Sequence, residues 1–227
     1  MFELSLVQKI AAWIVPVLLG ITVHEVAHGW VASKLGDRTA LMLGRLTLNP
    51  LKHVDPMGTI LIPGLLLLMR AGFIFGYAKP VPVDWRNLRH PKRDMAIVAA
   101  AGPLTNLLMA IGWALLIRIA YLIGDGGVAL VFMGVAGIFI NSVLMMLNLL
   151  PLPPLDGGRV LTGLLPGRWA WYFSRIEPYG FFILIALMLT NILGLILWPL
   201  IELAWSALLP VSGMSTTDFQ AILNSLM

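Results

Sequence analysis

Residues 10–33 read IAAWIVPVLLGITVHEVAHGWVAS, an apolar run that carries His24, Glu25 and His28 near its C-terminal end. At about 1.5 Å per residue, such a run forms a helix long enough to cross a hydrocarbon layer of about 30 Å. Four residues make slightly more than one helical turn, so the two imidazoles face the same way and Glu25 lies beside them. Histidines at this spacing bind a metal ion, and the carboxylate between them is within reach of a water on it. Ionisable side chains in an apolar span are costly unless paired or liganded, so the pattern reads as a metal site inside a membrane helix.

The rest of the chain agrees with a lipid environment. Of 227 residues, 59% are hydrophobic and 11% charged, and the mean hydropathy is +0.90. One soluble core cannot bury that much apolar surface. The net charge of +4 does not indicate nucleic acid, because the basic residues occur in loops beside apolar runs, where they orient a membrane protein. Cysteine is absent, which excludes disulfides and thiolate ligands and leaves nitrogen and oxygen to bind any metal. The first apolar run follows Glu3 and Lys9 and has no small-residue cleavage pattern, so it is read as a retained span.

Three further spans are predicted at residues 94–121, 128–150 and 180–205. Residues 57–76 are long enough to cross as well, but Pro63-Gly64 interrupts them and Arg70 lies inside. Lys34, Arg38, Arg45 and Lys52 precede this stretch, and Lys79, Arg86, Arg89, Lys92 and Arg93 follow it. A re-entrant hairpin keeps both basic flanks cytoplasmic; a true crossing would place one of them outside. The hairpin reading also puts Arg159, Arg168 and Arg175 inside, and the Gly124-Asp125-Gly126-Gly127 turn outside. Thr39 to Leu48, with Gly44 at its centre, reads as a short β-hairpin. The expected architecture is an all-α polytopic helical bundle, with one membrane domain over residues 1–211 and a polar or amphipathic tail over 212–227.

A catalytic zinc usually takes three protein ligands and keeps a fourth position open. Asp156 is the best third candidate, in Asn148-Leu149-Leu150-Pro151-Leu152-Pro153-Pro154-Leu155-Asp156-Gly157-Gly158. The prolines and paired glycines free the backbone there to turn a carboxylate back toward the bundle. The plainer reading is a turn aspartate at the membrane boundary. His53, in Lys52-His53-Val54-Asp55, is either a gating or supporting residue near the site or a loop histidine bonded to Asp55 or to backbone.

Three elements in order, His24-Glu25-Val26-Ala27-His28, Ala101-Gly102-Pro103-Leu104-Thr105-Asn106 and Leu155-Asp156-Gly157-Gly158, resemble the site-2 protease family of intramembrane zinc metalloproteases in its small bacterial form. The likeness spans roughly residues 8–165 and includes Gly76-Tyr77-Ala78-Lys79-Pro80-Val81-Pro82-Val83. It implies a three-helix catalytic core from spans 10–33, 94–121 and 128–150, one zinc ion per chain on His24, His28 and Asp156, and Glu25 as base. The implied substrates are transmembrane segments of other proteins, cut in regulated proteolysis or in clearing signal-peptide remnants.

Under the same resemblance, Asn106 either holds the scissile carbonyl or bonds a neighbouring helix, and Asn148 has the same two readings. An edge strand near residues 39–48 would pair with extended substrate. The chain departs from larger members in showing no PDZ insertion and no CBS pair. A multi-pass protein of a bacterial cytoplasmic membrane, with its site toward the cytoplasm, is the expected setting. The alternative is a membrane protein that carries metal or binds transmembrane partners without proteolysis. Glu25 argues against a carrier, as does the scarcity of carboxylates in the other spans.

Overall fold

A computed structural model describes residues 4–68 and 76–227. The chain forms α1 (Leu6–Leu35), α2 (Thr39–Met42), α3 (Ile62–Leu68), α4 (Pro91–Ile123), α5 (Val128–Asn148), α6 (Asp156–Leu164), α7 (Gly167–Ser174), α8 (Glu177–Leu189), α9 (Ile192–Ser212) and α10 (Thr216–Leu226). Three stretches, Leu6–Leu35, Pro91–Asn148 and Ile192–Ser212, are long and apolar enough to cross a membrane, and α7 with α8 makes a fourth if the bent pair counts as one span.

The 58-residue stretch Pro91–Asn148 folds back on itself at Gly124–Gly127. A Cβ on Gly127 would lie 2.1 Å from Ala120 O, on Gly134 2.3 Å from Ile117, and on Gly137 2.3 Å from Trp113. The facing positions fall along one helix as they rise along the other, so α4 and α5 are antiparallel and nearly in backbone contact. Helix α1 packs against both, and its buried residues there are small, Ala12, Pro16, Gly20 and Ala32. Its start is fixed by a capping box in which Ser5 and Gln8 each accept the other's backbone N–H. Helix α9 covers α4 and α5, and α10 adds Phe219, Leu223 and Leu226, spaced to face one way, to the same apolar core.

Two expectations are corrected. The span predicted over 180–205 is broken: Thr190 donates both its N–H and its hydroxyl to Ala186 O, and Asn191 takes the left-handed conformation at φ 59°. Asparagine tolerates that region better than most residues. The β-hairpin over residues 39–48 is absent, and there is no strand among the described residues. Asp37 instead accepts the Thr39 N–H and hydroxyl and starts the short helix α2, a local bond that competes with strand formation.

The stretch 57–76 begins as a π-helical turn, Pro56–Leu61, capped by Asp55, and continues as α3. Residues 69–75, Arg70 among them, lie outside the described residues. Where the chain resumes, Tyr77 donates to Gly58 O at 3.0 Å and accepts from the Thr59 hydroxyl at 2.9 Å. The excursion therefore starts and ends at one place, which is compatible with a re-entrant hairpin.

Candidate metal centre

Histidines 24 and 28 sit one turn apart on α1, and Asp156 opens α6. The chain returns to α1 through glycines that nothing larger could replace. A Cβ on Gly157 would lie 2.2 Å from Leu149 O, and one on Gly158 2.3 Å from Pro153 N. Behind them, Gly180 of α8 approaches Pro153 O so closely that its Cβ would overlap that atom. This folded-back segment leaves Asp156 buried, with its carboxylate against the two imidazoles.

The three ligating atoms form a nearly equilateral triangle. His24 Nε2 lies 3.1 Å from His28 Nε2, and each lies 3.2 Å from Asp156 Oδ2. Ligands about 2.0–2.1 Å from a tetrahedral zinc are about 3.3–3.4 Å apart, within the tolerance of about 0.2 Å expected of a metal site. His24, His28 and Asp156 can thus hold one metal ion.

Hydrogen bonds behind the triangle fix its protonation. His28 Nδ1 is 2.7 Å from Val98 O, which can only accept, so Nδ1 carries the proton. Asn141 gives its amide to Gly137 O at 2.9 Å, leaving Oδ1 to accept from Asn106 at 2.9 Å; Asn106 also donates to Gly20 O at 3.2 Å. The Asn106 carbonyl therefore faces His24 and accepts its Nδ1–H at 2.6 Å. Both Nε2 atoms consequently present lone pairs to a carboxylate oxygen, and Oδ2 is buried without a hydrogen-bond partner. Three converging lone pairs repel unless a cation lies between them, so the donor set fits zinc.

Gly102 completes the cradle, since a Cβ there would lie 2.4 Å from His24 Cε1 and 2.5 Å from His28 Nε2. The α4 backbone thus lies directly on the imidazoles. Glu25 stands outside the triangle, and its Oε2 accepts the Val81 N–H at 2.8 Å. Asn148 ends α5, with its amide bonded to Leu144 O at 2.9 Å. His53 is buried, and its Nε2 donates to Thr47 O at 2.9 Å.

Some functional residues escape a reading of the sequence. Asn141 had a signal, an amide in the middle of an apolar span, which is costly there unless it bonds something. Gly102 lay inside a motif but without an assigned task. Val98 and Val81 act through their main chain, for which side-chain identity carries no signal. Asp37, fully buried after α1, accepts hydrogen bonds from Thr39, Asp84 N and Asn87. Burial pushes its carboxyl upward, but these bonds outweigh it and hold it below its ordinary range.

A membrane bundle that turns two imidazoles and a carboxylate onto one point is a polytopic metalloprotein. Comparison with known proteins gives it a family. YwhC of Bacillus subtilis (strain 168) is 40% identical over 195 residues, covering 83% of this chain and 85% of its own length. Rip2 of Mycolicibacterium smegmatis is 31% identical over 186 residues, 82% of this chain and 68% of its own. The names of both assign them as zinc metalloproteases. Protease RseP of Yersinia pestis is 30% identical over 117 residues, 48% of this chain and 25% of its own. No protein-family model and no solved structure matches the chain. The chain belongs to the site-2 protease family and is a multi-pass zinc metalloprotease.

Proposed function

We propose that the protein is an intramembrane endopeptidase that hydrolyses peptide bonds in or near the transmembrane segments of other membrane proteins. The observation that carries this reading is the triangle of His24 Nε2, His28 Nε2 and Asp156 Oδ2, 3.1–3.2 Å on a side, built between apolar helices. These three residues hold the zinc ion. When bound, zinc polarises the scissile carbonyl and makes water acidic enough to attack near neutral pH.

The chain's own groups do the rest. Glu25 takes the proton from the attacking water and returns it to the leaving amine as the C–N bond breaks, so one carboxylate serves as base and then as acid. Asn106 and the Val98 carbonyl keep the imidazoles in the tautomer that offers Nε2. The surrounding helices limit bulk water, which strengthens these charge interactions. Asn106 is occupied by His24, Gly20 and Asn141, which favours its role in orienting a ligand over contact with substrate. The basic loops around Lys34, Arg38, Arg89, Lys92 and Arg93 follow or precede the spans at the site's end of the bundle and favour a cytoplasmic opening.

The test is to map cut sites by mass spectrometry on model single-span substrates incubated with purified protein in detergent. Fragments ending within or at the edge of the apolar segment are expected. Cuts confined to soluble loops would contradict the intramembrane reading.

A further inference from the structure

Residues 77–84 form a strap across the Glu25 side of the site, tied down along its length. Tyr77 N–H bonds Gly58 O at 3.0 Å, Lys79 N–H bonds His53 O at 2.9 Å, and Asp84 N–H bonds Asp37 Oδ2 at 2.8 Å. Between these ties, Val81 N–H donates to Glu25 Oε2 at 2.8 Å, and the Val81 side chain is buried. Pro80 and Pro82 stiffen the strap, because each fixes its own φ and biases the preceding residue, Lys79 or Val81, toward an extended conformation.

One charged side chain grips this strap where it meets Glu25. Arg45 Nη2 donates to Lys79 O at 3.0 Å and to Pro80 O at 3.3 Å, the two carbonyls just before the Val81 N–H. Arg45 is in turn seated by its own N–H on Ala40 O at 2.9 Å, beside the Asp37 anchor. We propose that Arg45 is a positioning residue for hydrolysis: it clamps the strap through Lys79 O and Pro80 O so that Val81 N–H fixes Glu25 Oε2 and leaves the other carboxylate oxygen to move the proton. Glu25 Oε1 takes no hydrogen bond from the described residues, which suits that division of labour.

The inference rests on the reading of Glu25 as the base. Arg45 touches neither the metal ligands nor, in this account, the substrate, so its removal should slow turnover without loosening zinc or substrate. A lost hydrogen bond to a charged group corresponds to about 10- to 100-fold in rate.

The experiment measures kcat, KM and zinc content for Arg45→Ala, Arg45→Lys, Val81→Pro and the Arg45→Ala/Val81→Pro pair, on a fluorogenic transmembrane peptide in detergent. Arg45→Ala should lower kcat about 10-fold or more at unchanged KM and zinc content, and Arg45→Lys, which keeps a donor, should recover part of it. The double variant should be no slower than the slower single one, because both changes remove the same restraint. Unchanged kcat, an effect confined to KM, lost zinc, or multiplying effects in the pair would each overturn the proposal. Should Val81→Pro fail to fold, the two Arg45 variants decide alone. Failure of the base reading itself would appear separately, as undiminished cleavage by Glu25→Gln.

Discussion

Replacing Gly102 by alanine should empty the metal site while leaving the bundle folded. The added Cβ would lie 2.4 Å from His24 Cε1, 2.5 Å from His28 Nε2 and 2.6 Å from His24 Nε2. Non-bonded carbon contacts relax near 3.5–4.0 Å, so the helix or the rings must move by about 1 Å. The rings cannot swing away cheaply, because Asn106 and Val98 O hold their Nδ1 atoms at 2.6 and 2.7 Å. A metal site tolerates about 0.2 Å, so the required movement exceeds the tolerance several-fold. Overpacking of this kind costs about 1–3 kcal/mol of stability, which a protein of ordinary stability survives. Zinc per chain, measured after dialysis against a graded chelator, should fall at least about 100-fold in affinity, with helical content retained. Gly102→Ala binding zinc as tightly as the parent would show that the α4 backbone does not set the positions of the two imidazoles.

Asn106→Leu leaves His24 Nδ1–H without its acceptor and should lower zinc affinity about 10- to 100-fold, read by the same titration; Asn141→Leu, one bond further out, should cost less. Asp37 ties α1, α2 and the strap together, and its pH dependence follows from its lowered pKa. A carboxyl lower in the folded than in the unfolded chain contributes stability above its unfolded value and loses it as pH falls through the folded one. Thermal unfolding in detergent should therefore show a midpoint that declines with acid below the ordinary carboxylate range, and Asp37→Asn should flatten that decline while lowering the midpoint near neutrality.

Much of this was legible where chemistry is carried by side chains in regular spacing. The pair His24 and His28 could be placed on one helical face because a periodic apolar run surrounds it. The return of Asp156 was foreshadowed by Pro153, Pro154, Gly157 and Gly158, residues that end one helix and permit a tight turn into another. The antiparallel α4 and α5 followed from two apolar runs separated by Gly124–Gly127. What was not legible depends on tertiary contacts. Asn191, with Thr190 a short polar step in an otherwise apolar run, breaks the helix by adopting a left-handed conformation that periodicity does not announce. Thr39 to Met42 chose a helical turn over a strand because of Asp37, a single upstream side chain. The bond from Val81 to Glu25 joins residues 56 apart in the chain through a main-chain donor, and the pairing of Asn141 with Asn106 exists only once α4 and α5 are packed.

Catalysis in this site turns on Glu25 working beside a zinc ion held by His24, His28 and Asp156. Its most direct measurement is cleavage of a panel of transmembrane substrates by the parent protein and by Glu25→Gln, with zinc quantified in both. One zinc per chain is expected in each protein, with cleavage by the parent and loss of cleavage in the zinc-loaded variant by at least about 100-fold, the lower end of what a positioned acid–base group contributes. A parent protein without zinc, or a Glu25→Gln variant that cuts as fast as the parent, would contradict it.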